Sequence, residues 1–211
     1  MVFQFSAITE YISAHPQYAI AAVFLLAFSE AVPIVGTVVP GSTLIVAISA
    51  YAIETEINPW HLLAAAVLGA ILGDGASFWL GQRYHAEILT RWPLNQFPGF
   101  IARSEAFFNR FGGASVFLAR FTAVVRAFVP LIAGILRMPP RQFYLANVLS
   151  AVVWAPAHVF PGVVFGLLVR FAGASPEVIF MLAIAAMLLA VMVVRLVRYC
   201  YQHGMFGGAE K

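Results

Sequence analysis

The sequence predicts an all-α, polytopic membrane protein with about four spanning helices and two opposed re-entrant hairpins. Three observations lead there. Of 211 residues, 62% are hydrophobic and 10% charged, where a soluble domain carries about 25% charged and 45–50% apolar residues. Long apolar stretches recur along the chain, and no soluble fold of this size hides so much apolar surface. Two of those stretches are interrupted by Pro and Gly and hold charges, which an ordinary spanning helix does not.

The elements follow in chain order. Phe5, Ile8, Tyr11 and Ile12 fall at helical spacing, which fits an amphipathic interfacial helix over 1–15 as well as a frayed start. Residues 1–15 hold no Lys or Arg, which argues against a secretory signal. Tyr18 to Phe28 is a short span, ended by Glu30. Val32 to Ala52 carries Pro33, Gly36, Pro40 and Gly41, and reads as the first re-entrant hairpin with Pro40-Gly41 at its tip. Trp60 to about Leu80 is a span that contains Asp74.

Trp92, Phe97, Pro98, Gly99, Phe100, Phe107 and Phe108 suggest a segment resting in the interface, or a plain connecting loop. Phe111 to Leu136 holds Gly112, Gly113, Pro130 and Gly134, with Arg120 and Arg126 inside. It reads as the second hairpin, turning at Pro130 and Gly134. Phe143 to Val169 is a span that Pro156, Pro161 and Gly162 should kink. Val178 to Val194 is an uninterrupted span within 176–199, closed by Arg195 and Arg198. The whole of 1–211 forms one membrane domain.

Charge sets the orientation. With both termini cytoplasmic, the inside carries Arg83, Arg91, Arg103, Arg110, Arg137, Arg141, Arg195, Arg198 and Lys211, and the outside Arg170. The positive-inside rule selects that arrangement. It places the hairpins on opposite faces, as an inverted repeat would, with a site between them. Glu30 precedes Pro40 by the same interval as Arg120 precedes Pro130.

The ionisable residues at apparent membrane depth are Glu30, Asp74, Arg120 and Arg126. Each is costly there, by roughly 2.5–3.5 kcal/mol on insertion scales, unless it faces an interior or a water-filled cavity. On one reading the arginines bind a lipid phosphate, which a guanidinium fork suits, and Glu30 and Asp74 balance charge or carry a coupling proton. On the other, two buried salt bridges only hold the hairpins in place.

Other chemistries fit poorly. Gly73, Gly75 and Gly81 permit close helix packing. Gly75-Ala76-Ser77 resembles part of an intramembrane serine protease motif, but Phe78 stands where its next Gly belongs. His158 has no evident partner as a base. A lipid phosphatase would need a Lys–Arg–His set, and the only lysine is Lys211. Cys200 is the only cysteine, so there is no Cys-based metal site. Neither an enzyme, a cofactor nor a metal is expected. The net charge of +3 comes from dispersed arginines, so no nucleic-acid footprint is expected.

An ordered set of motifs resembles the DedA family of bacterial inner-membrane proteins, within the VTT-domain superfamily. Phe28-Ser29-Glu30, Pro33, Gly36 and Pro40-Gly41 resemble the family's first hairpin. Gly73-Asp74 through Leu80-Gly81-Gln82-Arg83 resembles the segment that follows. Phe117-Leu118-Ala119-Arg120-Phe121, Arg126, Pro130, Ala133-Gly134 and Met138, continued by Phe143, Asn147 and Trp154, are similar to its strongest signature. The resemblance covers about 17–169. It implies a multi-pass protein of the bacterial inner membrane that moves lipids between leaflets, as a flippase or scramblase for undecaprenyl phosphate or a phospholipid. It also implies roles for Glu30, Arg120 and Arg126. Many members carry an acid directly after the Pro-Gly; here it is Ser42. The expected partners are phosphate-bearing membrane lipids, and a homo-oligomer is left open. The rival readings are a proton-coupled small-solute transporter and a non-transporting membrane-organising protein.

Overall fold

The computed structural model describes residues 15–33, 35–53, 55–84, 87, 94–96, 98–122 and 126–173. The expected interfacial helix over 1–15, of which only His15 is described, and the expected span at 176–199 lie outside these residues. So do Arg91, Trp92, Phe97, Cys200 and Lys211.

Every regular element among the described residues is helical. Helix α1, Pro16–Ala31, begins with Pro at its first turn, where the missing N–H costs nothing. It ends because Val32 precedes Pro33 and takes the extended conformation (φ −88°, ψ 132°). Glu30, expected to end the span, lies buried inside its last turn.

The stretch from Val32 to Ala52 is broken as its Pro and Gly residues imply. A one-turn helix α2, Val35–Val38, is followed by α3, Gly41–Tyr51. Pro40 is the N-cap of α3, so the break falls at Val39-Pro40. Helix α4, Pro59–Tyr84, is long and apolar enough to cross a membrane.

Helix α5, Pro98–Phe111, is amphipathic rather than a plain loop. Ile101 and Ser104 are buried and Arg103 and Arg110 exposed. A 3-10 turn, Gly112–Ala114, leads into α6, Ser115–Ala119. After turn residues around Arg120 and Arg126 comes α7, Val129–Ile135. Helix α8, Pro140–Phe171, is the second element of spanning length. Helical structure continues through Pro156 and Pro161, so these prolines do not divide it into two elements.

The expected turn of the second hairpin needs correction. Pro130 stands in the first turn of α7 and Gly134 stands inside that helix; neither is among the described non-helical residues between α6 and α7, which are residues 120–122 and 126–128. Pro is well suited to a helix start. The helix is ended instead by Arg137 (φ 56°). The Arg137 N–H donates to the Gly134 carbonyl (3.0 Å) and the Met138 N–H to the Ala133 carbonyl (2.9 Å), a Schellman closure. Gly134 serves packing: a Cβ there would run into the Phe78 carbonyl and the Gly81 backbone of α4.

The same order of elements occurs twice: a helix, a broken pair, then a long helix. The long helices pack crosswise, α4 against α7 of the second broken pair and α8 against α3 of the first. Glycines make these approaches close. Gly81 and Gly134 face one another, and Gly162 and Gly166 of α8 lie on the Val46 and Ala50 carbonyls of α3. Gly69 and Gly73 lie on the Phe24 and Phe28 carbonyls of α1. The core has an aliphatic part around Val23, Ile45, Leu62 and Val159. A second part lies around Phe78 and Phe143, whose rings stack at 3.9 Å.

Candidate functional site

The chain breaks at Val39-Pro40 and at Arg120–Phe128 bring their flanking side chains together. Glu30 comes from the end of α1, held between the two glycines of the first broken pair. A Cβ on Gly36 would strike the Glu30 carbonyl, and one on Gly41 would lie 2.7 Å from Glu30 Oε2. This is the local reason for Gly at both positions: the carboxylate-bearing backbone is wrapped at a distance no larger residue allows.

The four ionisable residues form two pairs. Arg126 Nη1 donates to Glu30 Oε1 (2.8 Å) and lies 3.4 Å from Ser42 Oγ, which itself donates to the same Glu30 oxygen (2.6 Å). Arg120 Nη2 pairs with Asp74 Oδ2 and donates to Asn147 Oδ1 (2.6 Å), while its Nε donates to Ser150 Oγ (2.9 Å). The Asn147 amide is fixed in turn by donating to the Ile71 carbonyl (3.1 Å). Ser42 therefore supports Glu30 directly, and Asp74 serves the other arginine.

The two arginines differ in setting. Arg120 is 5% exposed and uses two of its nitrogens on three acceptors. Arg126 is half-buried, and among the described residues its hydrogen bonds run through Nη1 alone. Both guanidinium groups sit by the Trp154 ring of α8, Arg126 at 5.1 Å and Arg120 at 6.0 Å, within cation–π range.

A cavity of about 470 Å³ opens at this point, lined by Glu30, Ser42, Arg120, Arg126, Trp154 and His158, with the Val39-Pro40 break at its wall. Desolvated cations with unused donors can hold an anion in such a place. Pro130 borders the narrow gap shared by Asp74, Arg120 and Arg126, whereas Gly134 lies at the α4–α7 contact instead.

Four participants were not expected from the sequence as site residues: Asn147, Ser150, Trp154 and His158. Their signal was present. They recur at spacings of three and four along α8, so they share one helical face, and three of them are buried. Polar residues on the buried stripe of an apolar helix call for partners.

Comparison with known proteins assigns the chain to a family. The VTT domain matches residues 39–164. The chain is 31% identical over 150 residues to the inner membrane protein YabI of Escherichia coli, covering 71% of this chain and 59% of YabI. It is 36% identical over 126 residues to an uncharacterized membrane protein of Mycobacterium tuberculosis, covering 57% and 58%. It is 27% identical over 162 residues to the protein DedA of Escherichia coli, covering 75% and 74%. The chain thus spans about three fifths of the length of YabI and the mycobacterial protein. No solved structure matches. The chain is a bacterial-type membrane protein that belongs to the DedA family of VTT-domain proteins.

Proposed function

We propose that this protein is a membrane lipid transporter, a flippase or scramblase that moves a phosphate-bearing lipid between leaflets. The observation that carries this reading is the placement of Arg120 and Arg126 with Glu30 at one cavity where both broken helix pairs meet, with Asp74 paired to Arg120 behind it. Each guanidinium is balanced by a carboxylate. A phosphate entering the cavity would meet the donors of Arg126 that make no hydrogen bond among the described residues. The Trp154 face behind them limits where the guanidinium can go.

Element lengths support re-entrant geometry. At 1.5 Å per residue α4 and α8 reach about 39 and 48 Å, beyond the roughly 30 Å hydrocarbon core, whereas α3 reaches about 16 Å and α7 about 10 Å. The short elements suit hairpins that enter and return, and the crosswise packing suits an inverted repeat with a site near the midplane. In this reading the protein lies in the bacterial inner membrane with both termini cytoplasmic, and it carries out no chemical reaction.

The test is leaflet-resolved lipid movement in proteoliposomes. Undecaprenyl phosphate and phosphatidylethanolamine would be compared side by side, with and without a pH gradient. Movement of either lipid above protein-free vesicles, lost in Arg126→Lys, is the expected result. Uptake of a small solute with no lipid movement would overturn the proposal.

A further inference from the structure

His158 has no role in either ion pair, yet it stands on the cavity wall one helical turn beyond Trp154. Its ring lies 4.5 Å from the Trp154 ring, and its Nδ1 lies 2.8 Å from the Trp154 carbonyl oxygen. A carbonyl can only accept, so Nδ1 carries a hydrogen whatever the charge of the ring. Nε2 is therefore the atom that gains or loses a proton. Among the described residues it makes no hydrogen bond.

The charged groups around the imidazole are few. Helix α1 supplies Glu30, and the second break supplies Arg120 and Arg126. Helix α4 supplies Asp74, held by Arg120. The first break lines the cavity with Gly36, Val39, Pro40 and Ser42, none of which titrates. Two arginines against two carboxylates leave these groups neutral in sum. An anion in the cavity changes that sum. Neutral Nε2 would turn a lone pair toward it, whereas protonated Nε2 would turn a donor and a positive charge.

We infer that His158 is a third anion-binding residue of this cavity, and that its Nε2 takes up a proton when a phosphate-bearing ligand binds. The inference rests on the lipid-phosphate reading above and adds the group through which binding senses pH. The shared ligand chemistry is a phosphodiester, from a lipid headgroup or from a soluble ester.

The experiment is calorimetric titration of the full chain in detergent with dihexanoyl phosphatidylglycerol, whose headgroup stays singly charged from about pH 5.5 to 8, across which a histidine titrates. For one linked proton, Kd should weaken with rising pH by up to about tenfold per unit. The heat of binding should vary with the ionisation heat of the buffer. His158→Gln should lose both the slope and the buffer dependence; Glu30→Gln should keep them.

Wild-type binding without a pH slope overturns the role of His158 and leaves the lipid-phosphate reading standing, whether or not the variants fold. A slope retained in His158→Gln overturns it equally. No binding at any pH overturns the role of His158; the lipid-phosphate reading, which also covers phosphomonoester lipids, then stands or falls on the lipid-movement assay. Glycerophosphoglycerol bound with the same slope would support His158 while assigning the phosphate to a soluble ester; binding of the lipid alone would support both.

Discussion

Replacing Arg126 by Lys keeps a positive charge beside Glu30 but removes the planar fork and its additional donors at the cavity. We expect this variant to fold with a melting midpoint near wild type and to lose lipid movement by tenfold or more, on the order of 1.4 kcal/mol in the transport barrier. Arg120→Lys should behave differently. One ammonium cannot reproduce the separate bonds to Asp74, Asn147 and Ser150, and stability should fall by about 1–3 kcal/mol as buried partners go unsatisfied. Transport rate per folded protein and thermal melting in detergent check both. Wild-type movement in Arg126→Lys would move the weight to a purely structural ion pair. Much of this site was legible in the sequence, because charges in an apolar chain are few and need partners. The pairing was not legible: Glu30 and Arg126 are 96 positions apart, and only folding brings them together.

The helices are held by contacts that a single methyl group would break. Gly134 of α7 sits on the Phe78 carbonyl and the Gly81 backbone of α4. Gly134→Ala should push the two helices apart and destabilise by about 1–3 kcal/mol, as overpacking does. Gly99 in the first turn of α5 is the control, since a Cβ there meets nothing within 4 Å. Gly99→Ala should leave stability unchanged or raise it by about 0.5–1 kcal/mol. Thermal melting of the two variants side by side checks the contrast. At this scale the sequence was read correctly where the signal is local. The Pro40-Gly41 break follows from what proline and glycine do to their own backbone, whereas the end of the first span was placed at Glu30 and is set instead by Val32 before Pro33. Gly134 was misread as a turn residue, because a glycine that permits a turn and one that permits a neighbouring helix look alike without the neighbour.

Across the described residues, the repeated order of elements and the crosswise packing give two halves of matching architecture, and the positive-inside rule supplies their expected orientation. Residues 83–110 and the Arg137–Arg141 turn are expected on the cytoplasmic side, and residues 53–59 on the other. Glu56 and Arg103 are both exposed and suit single cysteine replacements in a Cys200→Ser background. Membrane-impermeant labelling should reach positions 56 and 103 from opposite sides. Labelling of both from the same side would sink the hairpin topology, even with the helices intact.

By itself the sequence determined that the chain belongs in a lipid phase, that it is built of helices, and that two of its apolar stretches are interrupted, the first of them at Pro40. These follow from composition, apolar run length and the backbone chemistry of proline and glycine, all of them local. Only the tertiary structure decided that Glu30 joins Arg126 while Asp74 joins Arg120. It alone placed Ser42 on Glu30 and brought Trp154 and His158 to the cavity wall. Such choices depend on how closely α4 and α8 pack on the broken pairs, and glycines far apart in the chain permit that approach, Gly81 against Gly134 and Gly162 and Gly166 on the backbone of α3.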